Sequence, residues 1–408
     1  MTNKEREFLT LSFANEGLDR GAKQETFEPW DLTVADWEKE GLETDFNKKL
    51  QVPTVPTEVG YIKKDSPVEW VDHYYMTMLT DPIFDLEKTL GYDPVLRMAF
   101  RIPFLSYEEQ IIEENDEYTI KRDIDGWTRK YFKNRSLFLT TQPVVYDEVS
   151  WERHKVHTLE AYRKHCTDEA MHAAYDKYHE ISENGQYPIR FRLMGFFWSI
   201  RDLMDNEPML YAWYDYPEMI QDIHRFQLDL YKEQMDKILK IIKPEVLFFE
   251  EDLSGKNGPM ISPDTFDEFL KPCYEEIIPF LKERGVQNVF VDTDGDFTRL
   301  IPNFTDSGVD GFLPVDVNAG VDIVDVRKRF PAVKFIGGFN KLEILKGYAA
   351  IDNEFKRLEP VIRQGGYLCG IDHQAAPGTP YEYYQYYIKR LGEVMTECRG
   401  EQVLNCYK

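Results

Sequence analysis

Acidic side chains and one histidine follow short apolar segments in the second half of the chain. They are Glu250, Glu251, Asp252, Asp292, Asp294, Asp316, Asn340, Asp372 and His373. Because residues two apart on a strand face the same side, Asp292 and Asp294 can point to one place. Crowded carboxylates repel one another, and a bound cation or a retained proton relieves that repulsion. The cluster therefore predicts either a divalent metal site, such as one for zinc, or a metal-free site where a carboxyl is a general acid.

The elements that must position this cluster are six short apolar segments, separated by stretches long enough for a helix. The segments are IRFRLMGFF, VLFFEED, NVFVDTDG, GFLPVD, KFIGGFN and YLCGIDH. Alternating strands and helices predict a parallel sheet. TFEPWDL near Trp30 and SLFLTTQPVVY near Phe138 are candidates for two further strands. The fold prediction is α/β, a single (β/α)8 barrel with an N-terminal elaboration, and in such a barrel functional groups lie at the C-terminal strand ends.

The barrel is predicted to span residues 1–408 as one domain. Residues 53–134 differ from the rest, because the run EEQIIEENDEYTIKRDIDG mixes charges without a clear core periodicity. We interpret 53–134 as an insertion or cap over one end of the barrel.

The composition limits the classes of partner. Lys and Arg number 49 against 73 Asp and Glu, a formal charge of −24, which disfavours binding to nucleic acid or to anionic membranes. No signal peptide or membrane span is recognised, and five cysteines lack CxxC spacing, so a cytoplasmic protein with reduced thiols is expected. The oligomeric state is left open.

The cluster also predicts individual roles. Since Glu251 and Asp252 lie nearer the loop than Glu250, they are preferred as catalytic groups together with His373. Residues at the same strand ends, or aromatic residues beside them, are candidates for substrate binding. These candidates are Trp30, Phe196, Trp198, Arg201, Asp316, Phe339 and Asn340.

Five longer motifs are distinctive: FFWSIRDLMDNEPMLYAWYDYP, FFEEDLSGKNGPMISPDTF, NVFVDTDGD, GGFNK and GYLCGIDHQAAPGTPYEYY. Together they resemble the uroporphyrinogen decarboxylase superfamily, in its branch of cobalamin-linked methyltransferases. In that branch a zinc ion is held by an HxC pair and a later Cys. The resemblance places Asp292 and Asp294 on the HxC positions and His373 on the final Cys, so oxygen and nitrogen replace sulfur.

The resemblance implies a methyltransferase, with methyl transfer from a small methylated compound to a corrinoid on a partner protein, since no DxHxxG corrinoid-binding segment occurs here. The replaced ligands favour Lewis-acid or proton-assisted cleavage of a methyl ether or a methylamine, and O-demethylation is the preferred prediction. Asp292, Asp294 and His373 would hold the metal or protonate the leaving atom.

Two alternatives stay open. One is a uroporphyrinogen decarboxylase or a related metal-free lyase, with His373 as proton donor. The arginine-rich PxWxMRQAGR-like segment of true decarboxylases is absent, and an acidic mouth poorly suits a substrate with many carboxylates. The other is a ligand-binding barrel without enzymatic activity.

Overall fold

The structure, a computed structural model, describes residues 1–13, 16–50, 80–102, 107–133 and 138–398. The strands in chain order are β1 Leu96–Phe100, β2 Gln110–Glu114, β3 Tyr118–Arg122, β4 Thr128–Phe132, β5 Phe138–Gln142, β6 Ile189–Met194, β7 Val246–Glu250, β8 Ser254–Gly255, β9 Gly258–Pro259, β10 Asn288–Asp292, β11 Gly311–Leu313, β12 Lys334–Phe339 and β13 Tyr367–Ile371.

Helices connect these strands. The α-helices are Asn3–Thr10, Asp31–Lys39, Phe46–Leu50, Thr80–Leu90, Glu148–His165, Asp168–Asn184, Phe196–Met204, Asn206–Asp215, Pro217–Ile241, Pro263–Thr265, Lys271–Glu283, Ile301–Asp306, Ile323–Arg329, Lys341–Ile344, Tyr348–Gln364 and Tyr381–Glu397. In the described part of the chain, none of them combines the length and apolarity that a membrane span requires.

Seven strands form one parallel sheet in the order β1-β6-β7-β10-β11-β12-β13. The six predicted strands are confirmed, and all of them are neighbours in this sheet. They were recognisable because strands covered on both faces are continuous apolar runs, and β10 and β13 are buried along their whole length.

Neither of the two remaining candidates joins the parallel sheet, although one of them is a strand. Phe138–Gln142 is β5, which pairs antiparallel with β4 in a separate four-stranded sheet. The TFEPWDL segment forms no strand, and a helix begins inside it at Asp31. The seventh strand of the parallel sheet is β1, which pairs with β6.

Glu25 and Thr26, at the start of the TFEPWDL segment, bridge the two edge strands of the parallel sheet without pairing as a strand. The Thr26 hydroxyl donates to the carbonyl of Ile371 at 2.8 Å, and the Ile371 amide donates to the Glu25 carboxylate at 3.0 Å. On the other side, the guanidinium of Arg97 in β1 donates to the Glu25 carbonyl at 3.0 Å. The parallel sheet is thus established, whereas an eighth strand that would close it as a barrel is not seen in the described residues.

The predicted cap, residues 53–134, contains parts with different positions. Residues 51–79 lie outside the described residues. β1 belongs to the parallel sheet, while β2, β3 and β4 form the antiparallel sheet with β5, which extends past residue 134. This antiparallel sheet lies against the helix after β6, where the Trp127 indole donates to the Asp202 carbonyl at 3.1 Å.

The interior enclosed by the parallel sheet is packed with apolar side chains. Its buried cluster takes residues from five neighbouring strands and from two N-terminal positions. The members are Leu11, Ala22, Val246, Phe290, Leu313, Ile336 and Leu368. The free space lies beyond this apolar cluster, at the C-terminal strand ends, where residues of the acidic cluster are located.

Candidate functional site

A cavity of about 760 Å³ lies between the C-terminal strand ends, the antiparallel sheet and the helices that follow β5 and β6. This volume is in the usual range for small-molecule sites. The predicted site residues that line it are Trp198, Arg201, Asp252, Asp292, Asp294 and His373. The structure therefore brings the centre of the predicted cluster to one cavity.

The three predicted metal ligands share the end of this cavity nearest the strands. Asp292 is 8% exposed, and burial together with the charges of Glu250 and Asp294 holds its pKa well above the usual range. Burial and the neighbouring Asp252 raise the pKa of Asp294 to about 7. Nε2 of His373 lies 3.5 Å from Oδ2 of Asp294.

The imidazole of His373 is uncharged at neutral pH. Burial, with a smaller effect from Lys341, lowers its pKa to about 4. Its ring lies against Phe27, with 5.3 Å between the ring centroids. The cavity therefore places a neutral imidazole next to carboxyls that hold protons more tightly than usual.

Arginines on the same wall are paired with other carboxylates. Arg192 contacts Glu250 at 3.0 Å, and Arg201 donates to the carbonyl of Asp252 at 3.2 Å while lying 3.7 Å from its carboxylate. Asp252 also accepts a hydrogen bond from the Asp294 amide at 3.3 Å and has a φ of +46°, so a left-handed turn directs this side chain.

Glu251, predicted to be catalytic, has a position that does not suit that role. It is fully buried, and its carboxylate accepts bonds from the amides of Phe196 at 2.9 Å, Phe197 at 2.8 Å and Trp198 at 3.1 Å. The Tyr274 hydroxyl donates to the same carboxylate. Glu251 thus satisfies the free amides at the start of helix Phe196–Met204 and does not line the cavity.

Polar residues at three later strand ends also cap turns. The carboxylate of Asp316 accepts from the amides of Asn318 and Ala319, and the Asn340 side chain accepts from the amide of Leu342 at 3.1 Å. Asp372 is fully buried and accepts from the Lys341 amide at 3.0 Å. The predicted substrate-binding residues Asp316 and Asn340 therefore shape loops and do not line the cavity.

Three aromatic residues predicted to bind substrate also lie elsewhere. Phe196 and Phe339 are fully buried in the core, the latter against Phe355 and Tyr387 with both centroid distances 4.8 Å. Trp30 is 43% exposed and does not line the cavity. Of the four aromatic residues predicted to bind substrate, only Trp198 lines the cavity. Its ring lies 4.7 Å from the Arg201 guanidinium carbon.

Other residues of the cavity were missed in the sequence. Glu250 was named in the acidic cluster but ranked below Glu251, and it lines the cavity whereas Glu251 is fully buried. The rest come from the antiparallel sheet and from helices distant in the sequence. They include Arg101, Trp127, Arg129, Trp151, Arg192 and Gln227. No local spacing marks these residues, because their juxtaposition is created by the fold.

The predicted metal site was tested against this geometry. In the residues that the structure describes, no three His, Cys, Asp or Glu side chains converge as a metal ion requires. The described cysteines, Cys166, Cys273, Cys369 and Cys398, are all buried and form no disulfide with one another, and none lines the cavity. The side chains as placed do not fit a zinc site like the one the resemblance implies, and no chemical step is derived through a metal.

Comparisons with known proteins agree with the predicted family and with the α/β fold. The sequence profile of the uroporphyrinogen decarboxylase (URO-D) family matches residues 142–394, so the chain belongs to this family. A search of curated protein sequences gave no significant match.

Two solved structures are similar to this chain to different degrees. A methyltransferase from Methanosarcina mazei superposes with a TM-score of 0.58 at 12% identity, over 96% of this chain and 99% of that one. A protein described as a vitamin-B12 independent methionine synthase, from Listeria monocytogenes, matches 86% of this chain and 94% of its own at 13% identity, with a TM-score of 0.39. At such identities the first match shows a shared fold, and the second score is too low for that.

Proposed function

We propose that this chain is a methyltransferase that moves a methyl group from a small methylated compound to a corrinoid carried by a partner protein. One observation carries the proposal: a URO-D family chain places Asp292, Asp294 and His373 together in a cavity of small-molecule size. The likeness of fold to a methyltransferase supports it. The preferred donor from the sequence has its methyl group on oxygen, and a methylamine is the alternative.

The chemistry requires the bond between the methyl carbon and the leaving atom to break. The electron pair of that bond stays on the leaving atom, which takes up a proton when it is an oxygen. The corrinoid supplies the nucleophile that accepts the methyl group.

The residues of the chain bind the donor and control this proton. Since burial and the neighbouring Asp252 raise the pKa of Asp294 to about 7, this carboxyl keeps a proton in much of the protein at neutral pH and is assigned as general acid for a donor with its methyl group on oxygen. His373, with a pKa near 4, is uncharged and is assigned to orienting the donor or the acid. In this proposal the proton donor is therefore a carboxyl, and the predicted role of His373 as proton donor is replaced.

Methyl transfer to free reduced cobalamin tests the proposal. The purified chain is offered a panel of aryl methyl ethers and methylated amines, with His373→Ala beside Asp325→Asn, a matched exposed control whose side chain is 69% exposed. We expect transfer with at least one donor, a marked loss in His373→Ala and none in Asp325→Asn. Absence of transfer with every donor, or equal rates in all three proteins, contradicts the proposal. Metal analysis of the same sample tests the predicted zinc.

A lyase of decarboxylase type is the second candidate, because guanidinium groups line the cavity. Arg101, Arg129, Arg192 and Arg201 could hold substrate carboxylates if their present partners were displaced. Consumption of a porphyrinogen by the purified chain would favour this reaction, and unchanged substrate at high enzyme concentration would count against it. Binding of a ligand without turnover would favour the non-enzymatic receptor.

A further inference from the structure

One carboxylate in the cavity has no partner. Asp292 is only 8% exposed and lines the cavity, and within the described residues its carboxylate receives no hydrogen bond and forms no ion pair. Isolated buried charges are costly, so a carboxylate held this way needs a proton or a bound cation. The Asp292 side chain therefore indicates that the cavity binds a ligand.

The charged groups around it do not fill this need. Arg192, whose charge also acts on Asp292, is in contact with Glu250, and Arg201 is in contact with Asp252. Among the described residues, Asp294 lies 3.5 Å from the imidazole of His373. The end of the cavity near the strands thus has more negative than positive groups. A ligand that brings positive charge would be favoured there over a neutral one of the same shape.

The geometry suits an organic cation better than a metal ion. A metal needs ligand atoms converging at about 2.0–2.6 Å from one point, and no such group of three exists in the described residues. A methylated ammonium spreads its charge over several methyl groups and is held by carboxylates at van der Waals distance and by aromatic faces. Phe27 and Trp198 line the same cavity and can supply such faces.

We propose that the acidic end of the cavity binds the methylated ammonium group of a small cationic compound, with Asp292 as its principal counter-ion. The inference rests on the proposed function, and it narrows the methyl donor to compounds that have the methyl group on nitrogen. In the transfer the carbon–nitrogen bond breaks and its electron pair stays on nitrogen, so a quaternary donor leaves as a neutral amine and no proton is required.

Calorimetric titration of the full chain tests this binding without any methyl transfer. The probes are choline and the neutral alcohol of the same shape in which carbon replaces the nitrogen. We expect choline to bind at least about tenfold more tightly than the alcohol, since charge is the only large difference between them. We expect this preference to shrink to about twofold or less in Asp292→Asn and to persist in the exposed control Asp325→Asn.

Equal binding of both probes, absence of binding by choline, or an undiminished preference in Asp292→Asn overturns the inference. A thermal melt of each variant shows that it is folded, and Asp294→Asn provides a second variant if Asp292→Asn is not. Methyl transfer from an ether without choline binding would leave the proposed function in place and remove this inference. Choline binding without methyl transfer from any donor would leave this inference in place and contradict the proposed function.

Discussion

Glu251 and Asp292 are two buried carboxylates at the ends of neighbouring strands, and they differ in what surrounds them. The Glu251 amide donates to the Asp292 carbonyl at 2.8 Å, so the two residues are in direct contact through the backbone. Three amides and a tyrosine hydroxyl surround the Glu251 carboxylate, whereas none of the described residues donates to that of Asp292. Burial with partners indicates a structural role, and burial toward a cavity without partners indicates a ligand.

Substitution of Glu251 should give the largest effect on stability. Glu251→Ala leaves three amides and the Tyr274 hydroxyl without an acceptor in the core, and we expect a loss of about 3–5 kcal/mol in the free energy of unfolding. Urea unfolding followed by circular dichroism measures it. A loss below about 1 kcal/mol would show that the cap is not needed and would remove the contrast with Asp292.

A smaller loss should follow from crowding the same cap. A Cβ atom added at Gly195 would lie 2.1 Å from the carboxyl carbon of Glu251 and 2.7 Å from the Glu250 carbonyl. We expect Gly195→Ala to lower the free energy of unfolding by about 1–3 kcal/mol, because the carboxylate must move away from the helix start. The same urea titration checks this value, and an unchanged midpoint would contradict the close packing.

Asp292→Asn should act in the opposite direction. Removing a buried, unpartnered carboxylate that is repelled by Glu250 and Asp294 is expected to leave the free energy of unfolding unchanged or raise it by about 1 kcal/mol. A loss of unfolding free energy comparable to that of Glu251→Ala would mean that Asp292 has a structural partner. It would contradict the difference between the two carboxylates.

The pH dependence of stability sharpens the comparison further. The folded pKa of Asp294 is raised from 3.8 to about 7, so the folded state binds this proton more tightly than the unfolded state. Its contribution therefore favours folding below pH ~4 and is lost as the pH rises toward 7. We expect Asp294→Asn to gain stability relative to the unsubstituted chain across this interval and to remain level above it. A constant difference between pH 4 and 7 in chemical denaturation would refute the raised pKa.

Much of the parallel sheet could be predicted from the sequence, because its strands are continuous apolar runs that end in polar residues. β1 was missed since its run LRMAF is short and follows a long segment without clear periodicity. Phe138–Gln142 alternates enough to suggest a strand, but only tertiary contacts decide that it pairs with β4.

The location of the site could be predicted from the sequence, whereas the side chains that line the cavity could be predicted only in part. Strand ends give Asp292, Asp294 and His373 directly. Glu251 was preferred over Glu250, but Glu250 lines the cavity and Glu251 is fully buried, because adjacent residues at a strand end point in opposite directions. The helix that Glu251 caps begins 55 residues earlier in the chain. Such a long-range cap leaves no local signal.

The central claim is that Asp292, and not Glu251, carries function at these strand ends. The single-turnover rate of methyl transfer to reduced cobalamin, expressed per folded molecule, tests it most directly in Asp292→Asn and in Glu251→Gln. The account predicts a loss of at least about 100-fold in Asp292→Asn and a loss of less than about fivefold in the folded fraction of Glu251→Gln. An unchanged rate in Asp292→Asn, or the larger loss in Glu251→Gln, would contradict it.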